Sequence, residues 1–127
     1  MTERERIQAA ILDAMETLTG AVAEQRVAGL AHAEADHAYK QKQAAEYVKA
    51  SVLRREDGKL LTEDHRAALV DQACSDEMLA CRIAEARRES AKIRVESLRA
   101  QLSAGQSLLS AERAETNALR YGQTPGA

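Results

Sequence analysis

Apolar residues recur at three- and four-residue steps along most of the 127-residue chain, the spacing of helices that each bury one stripe. The first stretch reads Ile7, Ile11, Ala14 and Leu18, with Thr2 placed to cap the helix and Glu3 and Glu5 suited to its positive start. This predicts a helix over 3–18, with Thr19-Gly20 as a weak break and one continuous helix as the alternative. A second helix is expected over 21–55, where Val27, Ala31, Ala38, Ala45, Val48 and Val52 form a heptad-like seam. It stops at Arg54-Arg55-Glu56-Asp57-Gly58, which joins a basic last turn to a turn-forming Asp-Gly. Thr62 caps a third helix with Glu63 and Asp64 in its first turn, and no strong stop follows before Tyr121-Gly122. That helix carries two stripes. One is Ala91, Val95, Leu98, Leu102 and Leu109; its neighbour is Ile83, Ala86, Ser90, Ile93, Ser97, Ala100 and Ala104.

The expected fold is all-α: a long antiparallel, coiled-coil-like helical hairpin over 21–121, preceded by an N-terminal helix over 1–20 and followed by a disordered tail over 122–127. Folding about Gly58 sets residue 40 near 76 and 26 near 90. The second helix is then exhausted near residue 95, so Val95, Leu98, Leu102, Leu108 and Leu109 are the candidate subunit interface of a homo-oligomer. Leaving such side chains in water forgoes about 1.5–3 kcal/mol each.

Composition agrees with helices. Phe and Trp are absent, the apolar set is mostly Ala, Leu, Val and Ile, and the one proline is Pro125. The MTERERIQAA start has no apolar core of a signal peptide, and no stretch approaches the roughly 20 apolar residues of a membrane span. This points to a cytoplasmic protein of a bacterium or a phage-infected host, with no membrane partner. Cys74 and Cys81 lie about 10 Å apart along one helix face, beyond disulfide reach. The histidines are His32, His37 and His65, and a single Glu-x-x-His step (Glu34 to His37) falls short of the paired steps of di-iron bundles. Motifs for phosphate loops, zinc proteases and serine hydrolases are missing. The expectation is a non-enzyme with no metal, no catalytic residues and no cofactor.

Charge adds one local feature. The formal net charge is −2, yet residues 39–59 hold six basic and three acidic side chains. Tyr39, Lys40, Lys42, Tyr47, Lys49, Arg54 and Arg55 are the candidate DNA-binding residues, with Lys59 nearby. Cations neutralise phosphates and exposed aromatics stack on unpaired bases. Tyr39 and Tyr47, eight apart, are expected to face similar directions, as are Lys42 and Lys49. The competing reading is a solvated charged helix with its tyrosines partly in the core. A second cationic run, from Arg82 to Arg99, is interleaved with Glu85, Glu89 and Glu96 and is explained by pairing within the helix.

The segment Ala45-Glu46-Tyr47-Val48-Lys49-Ala50, the polar turn, and the long helix with Ser75-Asp76-Glu77-Met78-Leu79, Leu98-Arg99-Ala100-Gln101-Leu102-Ser103 and Leu108-Leu109 together resemble the UvsY-type recombination mediators of T4-like phages. The resemblance covers roughly residues 38–115. It implies rings that bind single-stranded DNA and help load a RecA-like recombinase onto strands covered by single-stranded-DNA-binding protein. Family members hold DNA with a Lys and an Arg two apart on the basic helix. Lys49 matches the Lys, but Ser51 stands where the Arg would be, and Arg54 and Arg55 are the nearest replacements. The sequence thus points to an oligomeric recombination mediator that binds single-stranded DNA. The alternative is a non-enzymatic helical protein-interaction module, either a phage assembly or scaffold part or an inhibitor of a host defence enzyme.

Overall fold

A computed structural model describes residues 1–121; the tail expected over 122–127 lies outside them. The fold is all-α, with α1 (Glu3–Ser51), α2 (Glu63–Ala73) and α3 (Ser75–Tyr121) in chain order. No helix among the described residues is long and apolar enough to cross a membrane. The chain forms two compact units. One joins Met1–Gln25 to the segment from Ala91 onward, and the other is Arg26–Ser90.

The helix starts follow the sequence. Thr2 Oγ1 accepts the Glu5 amide at 3.1 Å while Glu5 Oε2 accepts the Thr2 amide at 3.0 Å, a reciprocal capping box. Thr62 Oγ1 accepts the His65 amide at 3.2 Å. The break expected at Thr19-Gly20 does not occur, and α1 runs through it as one 49-residue helix. Thr19 satisfies its hydroxyl within the helix by donating to the Met15 carbonyl at 3.0 Å. Gly20 loses only the roughly 1 kcal/mol of an interior glycine, beside Ala21, which is buried.

At its other end α1 stops at Ser51, short of the expected residue 55. Its last turn tightens, with the Val52 and Leu53 amides donating to the Lys49 and Ala50 carbonyls three residues back. Arg54 then bridges Leu60 in antiparallel fashion. The Arg55 amide donates to the Lys59 carbonyl at 2.7 Å, and the Gly58 amide to the Arg55 carbonyl at 2.9 Å. Gly58 supplies the left-handed conformation this reversal needs, with φ 78°. The single third helix expected from 62 is divided at Cys74 (φ −100°, ψ 9°). The Cys74 amide still donates to Val70, and the Cys74 carbonyl still accepts the Met78 amide.

In the Arg26–Ser90 unit, Ala50, Val70 and Cys74 form a buried cluster with Tyr39 packed against it. Arg88 Nη1 lies 3.2 Å from His32 Nδ1. In the other unit, Arg94 donates to Glu24 Oε2 at 3.1 Å, and a Cβ on Gly105 would stand 3.0 Å from Ile11 Cγ1. Each unit therefore pairs α1 with α3 antiparallel, in the register expected about Gly58.

Two expectations are corrected. The first concerns the overlong helix. Val95 is buried, and Leu98, Leu102 and Leu109 are half-buried. Their cover is the α1 segment of the same unit, because α1 continues where a separate N-terminal helix was expected. Of the five candidate interface residues only Leu108 stays exposed, at 60%. The second concerns the seam of α1. The inward positions continue the three-four count of Ile7, Ile11, Ala14 and Leu18, so in the Arg26–Ser90 unit they are Ala28, His32, Ala35, Tyr39, Lys42 and Glu46. An unbroken helix keeps its phase; a break at Gly20 would have reset it. The expected seam faces outward instead, with Val27 and Val48 each 67% exposed and Val52 71%.

The glycines give a direct check on this packing. Gly20→Ala has open space around the new methyl and is expected to stabilise the chain by about 0.5–1 kcal/mol in urea unfolding. Gly105→Val must displace Ile11 and is expected to destabilise it by about 1–3 kcal/mol in the same measurement.

Candidate nucleic-acid interface

The basic segment lies wholly within the Arg26–Ser90 unit, on the last turns of α1 and the turn that follows. Tyr39 and Tyr47 do not face similar directions. Eight residues at about 100° each leave them some 80° apart; a seven-residue step would have kept the face. Tyr39 is half-buried on the Ala50–Val70–Cys74 cluster, and its hydroxyl lies 3.5 Å from Gln43 Nε2. Tyr47 is 45% exposed. With Val48, Ser51, Glu63 and Arg66 it lines an open hollow of about 400 Å³. Of the two rings, Tyr47 alone is accessible enough to stack.

Most of the cations already have acidic neighbours. Lys40 Nζ lies 2.9 Å from Asp36 Oδ2, and the hydrogen bond to Asp36 raises its pKa. Lys42 and Lys49 do share a face, because both reach Glu46 Oε1 at 3.3 Å. Hydrogen bonds from Lys42 and Lys49 hold the Glu46 carboxyl below the usual carboxylate range. Arg55 pairs with Asp57, whose Oδ1 also accepts the Lys59 amide at 3.0 Å. Arg54 and Lys59 have no acidic side-chain partner among the described residues. The free positive charge is thus concentrated at the turn, with the exposed Lys49 beside it. The arrangement can attract an anion there; it does not present a continuous basic stripe along the helix.

Glu46 was legible as a controlling group from its spacing, three residues before Lys49 and four after Lys42, which puts all three on one helix face. Glu63 and Arg66 gave no sequence signal, because they join the hollow only through the reversal about Gly58. The two cysteines are free, with Cys74 buried and Cys81 half-buried. Burial pushes the Cys74 thiol pKa upward.

No family model, curated protein or solved structure matches the chain.

The Glu46 arrangement fixes a sign for pH dependence. Its folded pKa is depressed, so its pairing contributes fully above the ordinary carboxylate pKa and is lost as pH falls through the lowered one. In a carbon-detected NMR titration Glu46 is expected to protonate below the ordinary carboxylate range, and to move back up toward that range in Lys42→Ala. Titration within the ordinary range in the parent chain would contradict the pairing.

Proposed function

We propose that this chain is a non-enzymatic helical interaction module that works by offering apolar helix faces to another protein. One observation carries the reading: apolar stripes with coiled-coil spacing stand outside the fold. Among the described residues the buried side chains are Ala21, Ala50, Leu61, Val70, Cys74, Ala84 and Val95, whereas large apolar residues such as Val27, Leu30, Val48, Leu79 and Ile93 are exposed. A scattered exposed Leu needs no explanation, but contiguous apolar rows mark protein contact. Hydroxyl-radical footprinting tests this. Leu30, Val48 or Ile93 is expected to react less in an extract of the source cell than in the isolated chain at low concentration. Equal reactivity throughout counts against the module.

A second reading rests on the turn. Among the described residues Arg54 and Lys59 have no acidic side-chain partner, Lys49 is exposed, and Tyr47 is accessible. These are the elements of a single-stranded-DNA contact. They agree with the resemblance to UvsY-type mediators, which would add a RecA-like recombinase and single-stranded-DNA-binding protein as partners. The measurement is fluorescence anisotropy of a labelled oligonucleotide across a salt series. Arg54→Ala with Lys59→Ala is expected to lower affinity and flatten the salt slope by about one to two. Glu46→Gln is expected to raise affinity by releasing Lys42 and Lys49. No binding at low salt removes this reading and leaves the first intact.

A further inference from the structure

Taking the interaction module as given, we infer that its partner along α3 is a second copy of the same chain. The two copies pack antiparallel through the outer face of α3 about a two-fold axis near Leu102.

The outer face keeps three-four spacing through Ile93, Ser97, Ala100, Ala104, Ser107 and Ala111, all exposed. No charged residue falls on it, although charged residues make up 30% of the chain. Strict three-four spacing is useful only to another helix crossing at a shallow angle. The intrachain seam runs two residues out of phase with this face, through Val95, Leu98, Leu102 and Leu109, so the partner helix must come from outside.

The edges of the face identify that helix. Every seventh residue along one edge reads Arg87, Arg94, Gln101, Leu108, Glu115; the other reads Glu89, Glu96, Ser103, Ser110, Asn117. In an antiparallel pair each edge meets its own copy. Centred near Leu102, the first edge sets Arg87 against Glu115, Arg94 against Leu108 and Gln101 against Gln101. The second sets Glu89 against Asn117, Glu96 against Ser110 and Ser103 against Ser103. Both ends of the first edge become opposite-charge pairs, and like charges never meet. Arg87 and Glu115 have no charged partner among the described residues. They are 28 residues apart in α3, far beyond the three- and four-residue reach of pairing within one helix, and the antiparallel copy is what brings them together.

The same register brings two uncovered aliphatic residues together. Ile93 is 59% exposed and Leu108 60%, and each lands beside the other on the opposite copy, as an isologous contact requires. Other registers are poorer. Centring near Val95 sets Arg94 on Arg94 and Glu96 on Glu96, and a parallel in-register pair opposes Arg82 to Arg87 while joining Glu89 to Arg94, so its repulsive and attractive pairs cancel. Leu108 is thus the one residue of the sequence-derived interface that remains in it, on a different face.

Sedimentation velocity on the full chain tests the inference, with circular dichroism as the check on folding. The parent chain is expected to be a dimer at about 100 µM, within the range of micromolar self-association. Ala100→Glu with Ala104→Glu is expected to give folded monomers, since both positions lie outside the intrachain seam. Arg87→Glu alone and Glu115→Arg alone are each expected to weaken the dimer about fivefold or more, because each creates two like-charge pairs. The combined swap is expected to restore it, which only the antiparallel register allows. A monomeric parent chain overturns the inference, as does a dimer indifferent to the Ala→Glu changes or one not rescued by the swap. Protection in cell extract together with a monomeric isolated chain would leave the interaction module standing and remove the second copy as its partner.

Discussion

The close approach of α1 and α3 is the constraint on which the structure depends. The wholly buried positions are small or slender, the largest being Val70, Val95 and Cys74, and longer side chains such as Ile11, Tyr39, Leu98 and Leu102 are only half-buried between the helices. Helices that meet through Ala, Gly and Val lie near each other, and dispersion between backbones replaces the contribution of a large aromatic core. Gly105 is the extreme case, with Ile11 occupying the space where its Cβ would be. Such a seam buries little apolar area. Larger aliphatic residues such as Val27, Leu30 and Ile93 therefore remain outside the contact, and the proposed interaction rests on them.

Those outer faces and the ionic pattern have one origin. Helical residues are neighbours at three and four steps, so Asp36, Lys40, Lys42, Glu46 and Lys49 satisfy one another along α1. Exposed pairs of this kind add little stability, but they neutralise the helix surface. Within the basic segment the cations left without an acidic partner, Arg54 and Lys59, lie at the turn about Gly58, while the outer stripe of α3 from Ile93 to Ala111 carries no charge. A neutral apolar face suits a protein partner, and a cationic turn suits an anion.

Fold class, the reversal at Gly58, the Thr2 and Thr62 caps, and the antiparallel register were legible in the sequence, because capping and turn chemistry act locally. The phase of α1 was harder to read. Val27, Ala31, Ala38, Ala45, Val48 and Val52 are the more apolar stripe, yet His32, Lys42 and Glu46 occupy inward positions. Long side chains accept half-burial by laying their stems on the partner and keeping the charged end wet. The phase was set upstream, by Ile7 to Leu18, and carried past a glycine that does not end the helix. In the basic segment the lysine pairings could be read from spacing, whereas the inward turn of Tyr39 required that phase.

The reversal about Gly58 also grades the entropic cost of the contacts on either side of it. Contacts close to it span short loops: Ala50 and Val70 meet in the core cluster only twenty residues apart. Arg88 reaches His32 across 56 residues, and Arg94 reaches Glu24 across 70. Loop-closure entropy grows with such separations, so association starting at the turn and advancing outward meets the smallest penalty at every step. A seam that repeats at three-four spacing can slip by a heptad during that advance. Ile11 over Gly105 and Glu24 on Arg94 are the contacts that a slipped register would forfeit, and they act as the stops of a zipper.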